Sequence, residues 1–277
     1  MWSGASSLVL VNVFLFFIAA LLLYLYSNTF RYYFKVCYFN GWILVWSFVL
    51  LPIIALRGRD VANVRILRFM MLPLKYLYGI KINVQGATNL SLQGPYVMVC
   101  NHQRNLDFLG MFQILPERST LMVKKEVLHY LATGVLCWLS GFIFIDYKKR
   151  EETIRILAAT ADTMLRIWVF PEGTQNCEPT MLPFKSEAFH LAVQAQVPIV
   201  PVVISSYQQF FNKKIKKFTT GMTIRILPPM KTAGLSQSDV PELRDCVWET
   251  MLSAVHELSG GPRKQTCIPQ EENSQAT

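Results

Sequence analysis

The chain has 277 residues, of which 52% are hydrophobic and only 16% charged, and its formal net charge is +9. This apolar excess excludes disorder over most of the length, and it argues against an ordinary water-soluble protein, where about 25% of residues are charged. The basic balance fits an anionic membrane surface or an anionic substrate better than nucleic acid, because no nucleic-acid recognition motif accompanies it.

The first charged side chain is Arg31. From Leu8 to Tyr26 the sequence is almost wholly apolar, and as a helix it would measure roughly 28 Å, close to the hydrocarbon thickness of a bilayer. No Lys or Arg precedes the run and no small-residue cleavage site follows it, so it reads as an uncleaved anchor rather than a signal peptide. A second run, Trp42 to Leu56, is shorter and contains Pro52. It fits a second span, a re-entrant piece or a helix lying in the interface. Arg57, Arg59, Arg65 and Arg68 follow it and outnumber Arg31 and Lys35 between the runs, which places the remainder of the chain on the cytosolic side. The expected organisation is a membrane-anchoring helical region at 1–56, a folded domain at 57–259 and a polar, disordered tail at 260–277.

From about residue 80 the pattern changes to short apolar runs between turn residues. These predict strands at Ile80–Val84, Tyr96–Cys100, Leu121–Val123, Phe142–Ile145, Ile167–Phe170, Ile199–Ile204 and Thr223–Leu227. Helical spacing appears at Leu106–Leu115, Glu151–Leu165 and Ala188–Ala195. The alternation points to an α/β domain. The six cysteines are scattered without a CxxC pair, so neither a zinc site nor a disulfide framework is expected, and the thiols are read as reduced.

Four stretches carry candidate chemistry. Asn101-His-Gln-Arg-Asn-Leu-Asp107 follows an apolar strand, where α/β sheets place active sites. His102 is a candidate base and Asp107 its orienting carboxylate. Five residues separate them, so a turn must intervene before a helix begins. The alternative is a loop histidine beside a helix-capping aspartate. Phe170-Pro-Glu-Gly-Thr174 also follows a strand. Gly173 allows a sharp turn, Glu172 suits a polyol hydroxyl and the turn's amides suit an anion, although an ordinary tight turn explains the residues equally well. Gly141-Phe-Ile-Phe-Ile-Asp146 leads into Lys148, Lys149 and Arg150, a cluster able to hold a phosphate or simply a solvated helix start. Val197-Pro-Ile-Val-Pro-Val-Val203 is structural. The sequence contains neither a GxSxG elbow nor an HExxH zinc motif. A base at His102 would therefore activate a hydroxyl supplied by a substrate.

In order and spacing these four stretches resemble the motifs of the glycerolipid acyltransferases, and among them the 1-acylglycerol-3-phosphate acyltransferases. The likeness extends over roughly residues 30–258. It implies a mixed α/β sheet flanked by helices, with a membrane-embedded helical region before it. It also implies acyl transfer from acyl-CoA, a co-substrate rather than a cofactor, to the sn-2 hydroxyl of lysophosphatidic acid, giving phosphatidic acid without a metal. His102 would take the hydroxyl proton and Asp107 would orient it. Glu172, Gly173 and Thr174 would position the glycerol phosphate, with Lys148, Lys149, Arg150 and Lys185 as candidate phosphate contacts. Membrane lipids are implied as partners, nucleic acid is not, and the endoplasmic reticulum membrane is the implied home, the site facing the cytosol or the membrane interface. Several positions depart from the family pattern, among them Gln103-Arg-Asn105, Ser186-Glu187 and the short passage Asp162–Arg166; in the phosphate-binding parts Tyr147 and Gln175 stand where arginines are usual. They leave open a paralogue with another acceptor or weak activity, or a membrane pseudoenzyme. Finally, Tyr207-Gln-Gln-Phe-Phe-Asn-Lys-Lys-Ile-Lys-Lys-Phe218 mixes aromatics with lysines, which suits either an anionic headgroup layer or a solvated hairpin.

Overall fold

The computed structural model of the chain describes residues 2–146, 166–176, 178, 180–206, 211–212, 217–218 and 221–259. The expected helix at 151–165, the cations Lys148, Lys149 and Arg150, Tyr147, the tail from 260 and most of the 207–218 stretch lie outside the described residues.

Two long helices open the chain, α1 (Trp2–Tyr26) and α2 (Asn28–Arg57). Between them Ser27 is extended, and its Oγ accepts from Phe30 N at 3.2 Å, capping α2. Arg31 folds back so that its Nε donates to Tyr24 O at 2.9 Å, with an Nη on Leu25 O. It thereby satisfies carbonyls left over at the end of α1. Lys35 lies 5.8 Å from the ring centre of Tyr78. With both charges given partners, neither interrupts the helix, and the expected run Trp42–Leu56 proves to be the second half of a longer element. Pro52 removes one backbone hydrogen bond, yet α2 continues through it to Arg57. Both helices are long and apolar enough to cross a bilayer. They differ in surroundings: α1 is exposed along nearly all its described length, whereas α2 presses Tyr32, Phe39, Leu50 and Ile54 into the core.

The domain that follows contains, in chain order, α3 (Val64–Met71), α4 (Leu74–Leu77), β1 (Ile82–Gln85), β2 (Tyr96–Cys100), α5 (Asp107–Ile114), β3 (Ser119–Lys124), α6 (Leu131–Leu139) and β4 (Ile143–Ile145). It continues with β5 (Arg166–Val169), α7 (Glu187–Ala195), β6 (Ile199–Ile204), the short antiparallel pair β7 (Phe211–Asn212) and β8 (Lys217–Phe218), β9 (Met222–Ile226) and α8 (Val240–Leu258). Seven strands form a mixed sheet in the order β1-β9-β6-β2-β5-β3-β4. All neighbours run parallel except β6 and β9. This is the α/β architecture expected from the alternating pattern.

Helices cover both faces, which is why the central strands read as unbroken apolar runs rather than alternating ones. Every residue of β2 and β6 is buried. Their side chains divide between two layers: Tyr96, Met98 and Cys100 join α2, α3, α5 and α6 on one side, while Val97 and Val99 join α7 and α8 on the other. Helix α8 was not anticipated from the sequence; it buries Val240, Leu243, Val247 and Met251 against the second layer.

One buried polar residue ties the N-terminal helices to the domain. Asn63 Nδ2 donates to Gly58 O at 2.9 Å and to Leu139 O at 3.0 Å, and its Oδ1 accepts from Arg57 Nε at 2.9 Å. Replacing Asn63 with Ala leaves those groups unmet in a buried place. We expect a loss of about 1–3 kcal/mol, read as a lower thermal unfolding midpoint of the detergent-solubilised protein; an unchanged midpoint would count against this role.

Candidate active site

The site lies where the carboxyl ends of three central strands meet, β2 carrying residues 101–107, β5 the turn at 170–174 and β6 the carbonyls that anchor Asn101 and Gln103. Asn101 and Gln103 are buried polar side chains with strand ends for partners. Asn101 Nδ2 donates to Ile204 O at 3.0 Å while its Oδ1 accepts from Ile204 N at 2.8 Å. Gln103 Nε2 donates to Ile204 O at 3.1 Å and Ser205 O at 3.0 Å. Neither residue was anticipated from the sequence. The signal was present, since polar residues directly after a fully buried strand need partners.

The expected turn after β2 is there, and α5 begins at Asp107 itself. Asp107 is fully buried. Its Oδ2 accepts from His102 Nδ1 at 2.7 Å, Gln103 N at 2.6 Å and Arg104 N at 3.0 Å. The histidine–carboxylate pair and the capping aspartate, read from the sequence as alternatives, coexist: one oxygen holds the imidazole and closes the loop at the helix start. Because Nδ1 donates to a carboxylate, the second ring nitrogen, Nε2, is left as an acceptor. The His102 ring stacks on Phe170, centroids 4.1 Å apart at 22°, and Phe108 meets both rings edge-on at 6.1 and 6.0 Å. Its side chain keeps 13% exposure. The arrangement is a fixed imidazole with one open nitrogen at a surface, suited to taking a proton from a bound alcohol.

Glu172 is placed differently from the expectation that it meets a polyol. It is buried, Oε1 accepting from His102 N at 2.7 Å and Oε2 from Leu182 N at 2.9 Å. A second buried carboxylate therefore clamps the His102 backbone. Asn176 N donates to His102 O at 2.8 Å, so the loop is gripped from both sides. Gly173 has φ +66, and a Cβ there would lie 2.7 Å from Lys185 Cε and 3.0 Å from Lys185 Nζ. Lys185 thus stretches across the turn, while Thr174 and Gln175 are exposed. Gln175 Nε2 donates to Asn105 Oδ1 at 2.7 Å, joining the turn to the histidine loop. The structure brings together His102, Asp107, Glu172, Gly173, Thr174 and Lys185. Lys148, Lys149 and Arg150 lie outside the described residues. Among those residues no group of three or more His, Cys, Asp and Glu is placed to hold a metal. Cys100, next to the site, is fully buried, and burial pushes its thiol well up, with Asp107 and Glu172 adding to the effect.

The family model described as Acyltransferase matches residues 81–205. The chain is 47% identical over 264 residues to 1-acyl-sn-glycerol-3-phosphate acyltransferase alpha of Bos taurus, covering 94% of this chain and 92% of that one. It is 37% identical to 1-acyl-sn-glycerol-3-phosphate acyltransferase beta of Homo sapiens, with 88% and 90% covered. The chain belongs to the 1-acylglycerol-3-phosphate acyltransferase family. Its fold is also that of the 1-acyl-sn-glycerophosphate (LPA) acyltransferase PlsC of Thermotoga maritima, with a TM-score of 0.56 at 24% identity over 89% of this chain and 99% of that one.

In this acyltransferase Glu172 carries the clearest electrostatic signature of the site. Burial raises its carboxyl above the ordinary value of 4.5, and Asp107 pushes the same way, against its two amides and His102. A folded value above the unfolded one stabilises the fold fully below the unfolded value, and that contribution is lost as pH rises through the folded value. Glu172→Gln removes the titration and also one of the two amide contacts. The expected outcome is a variant whose unfolding midpoint falls below that of the parent, by more at about pH 5 than at about pH 8. A gap that widens with rising pH would contradict the buried clamp.

Proposed function

We propose that this chain transfers a fatty acyl group from acyl-CoA to the sn-2 hydroxyl of 1-acylglycerol-3-phosphate, forming phosphatidic acid. The observation that carries the reading is the 2.7 Å contact between His102 Nδ1 and the buried Asp107 Oδ2, in a chain whose curated relatives bear that activity in their names. As the acceptor hydroxyl attacks the thioester carbonyl, Nε2 takes its proton and Asp107 steadies the imidazolium that forms. When the tetrahedral intermediate collapses, the carbon–sulfur bond breaks and Nε2 returns the proton to the departing CoA sulfur. Locking both reactants in line contributes up to about 7–11 kcal/mol for well-oriented partners. The rigid loop, gripped by Asp107, Glu172, Asn101 and Gln103, supports that contribution.

The acceptor phosphate needs cations near the hydroxyl. Thr174, Gly173 and Lys185, whose Nζ lies close over the turn, are the described residues that we assign to this task, with Lys148, Lys149 and Arg150 as further contacts. Glu172 serves by holding the loop. The apolar N-terminal helices suit an acceptor and a product that stay in a bilayer. The endoplasmic reticulum membrane, with the site on the cytosolic side or at the interface, fits the basic cluster that follows α2. A second reading, acyl transfer to a different lysophospholipid, is favoured by Gln175, a neutral residue tied to Asn105 at 2.7 Å where the family pattern has a cation. Losing one charge-assisted hydrogen bond weakens binding by about 1.5–3 kcal/mol.

Purified protein given acyl-CoA and lysophosphatidic acid is expected to form phosphatidic acid. His102→Ala should lower kcat by about 10²–10⁴-fold, the scale of a lost general base. An acceptor lacking the phosphate should raise KM. Equal use of both acceptors would favour the second reading, and no transfer to any lysophospholipid would contradict both.

A further inference from the structure

A cleft of about 640 Å³ opens at the end of the sheet opposite His102. Its position follows from the strand register. Ser119, at the start of β3, stands beside Arg166, which stands beside Tyr96, the first residue of β2, whereas His102 comes after the last. The walls come from the turn before α3, from α3 itself and from the loop 115–118 that joins α5 to β3. The volume falls within the range of about 300–1,000 Å³ that holds small organic ligands.

Arg65, Arg68 and Arg118 line this cleft together with two acids, Asp60 and Glu117. Arg68 donates to Leu115 O at 3.0 Å and Gln113 O at 3.2 Å, which fixes its guanidinium against the end of α5. Arg65 Nη2 lies 2.7 Å from Glu117 Oε1, but both side chains are largely exposed, so the pair is weak and opens readily. Asp60 Oδ1 is already engaged with Ala62 N at 2.8 Å. Arg118 sits in the left-handed region at φ +52. Arg166 braces that loop, its N donating to Arg118 O at 3.2 Å and its Nη1 to Glu117 O at 2.9 Å. The Arg118 guanidinium has no hydrogen bond or ion pair among the described residues. Beneath these charges Ser119 is only 2% exposed, and its Oγ has no hydrogen-bond partner among the described residues. Side chains alternate along a strand. Leu121, two residues on, joins the core layer of α3 and α5, so the Ser119 hydroxyl is turned to that same side, where the cleft lies. A buried hydroxyl without a partner is costly, and an acceptor oxygen bound in the cleft would meet it.

We infer that this cleft is a second ligand site, which binds a phosphomonoester. Arg118 and Arg65 meet the phosphate, Ser119 Oγ donates to one of its oxygens, and Val61 and Pro116 on the cleft wall cover the organic part. Guanidinium forks match phosphate oxygens. Donors from separate walls suit the three terminal oxygens of a phosphomonoester better than the two of a carboxylate. The site is distinct from the turn at Gly173 and Lys185, which lies at the other end of the strands. The inference rests on the cleft and not on the acyl-transfer reading, and its test reads no activity.

The test is calorimetry on the full chain in an uncharged detergent, titrated with adenosine 5′-monophosphate and, separately, with a short-chain phosphatidic acid in the same detergent. Saturable binding is expected, weakened about ten-fold or more by Arg118→Asn, which removes the charge and keeps a residue that tolerates left-handed backbone. Ser119→Ala should weaken it several-fold without lowering the unfolding midpoint, because the hydroxyl has no partner to lose. Lys185→Gln, at the other end of the strands, should leave the Arg118-dependent binding unchanged. Binding of the nucleotide identifies a soluble ligand, and binding of the phosphatidic acid alone identifies a lipid headgroup; either supports the site. Binding of neither, or binding that follows Lys185 and is indifferent to Arg118, would overturn the inference.

Discussion

A buried carboxylate is costly unless donors surround it, and the site depends on how Asp107 meets that condition. Three donors converge on one of its oxygens, one from an imidazole and two from the backbone of the connecting loop. Folding the loop therefore also orients the base. The same contacts that start α5 select the tautomer in which Nε2 is open. Removing the carboxylate would release the ring and the helix start together.

Around that contact the strands act as a jig. The end of β6 holds Asn101 and Gln103, the turn after β5 supplies Glu172 to the His102 backbone, and Phe170 backs the ring. A second buried carboxylate raised above its ordinary value is a cost that the fold bears for rigidity at this point. Lys185 crosses the turn over Gly173.

The parts legible in the sequence were those whose physics is local. Strands β2 and β6 appear at their full lengths because burial on both faces leaves an unbroken apolar run between turn residues. His102 and Asp107 were legible as a pair because their spacing demands a turn before a helix, and that is what forms. The role of Glu172 was not, since its partners, His102 N and Leu182 N, are distant from it in sequence or hidden in a loop. The full length of α2 was obscured by Arg31 and Lys35, charges that on folding settle on the last carbonyls of α1 and beside the Tyr78 ring. Helix α8 carries its apolar period openly at Val240, Leu243, Val247 and Met251, and a reading weighted towards short apolar runs passes over it.

Helix α2 and the active site form one continuous body, since α2 shares the core layer that backs β2. The position of His102 is thus set by the same packing that holds α2. The most direct measurement of this account is the nitrogen resonance spectrum of histidine-labelled protein near neutral pH, assigned with a His102 variant among the four histidines. The account predicts that His102 is protonated at Nδ1 and bare at Nε2, and that this pattern disappears in Asp107→Asn. A proton residing on Nε2, or a spectrum indifferent to Asp107, would contradict it.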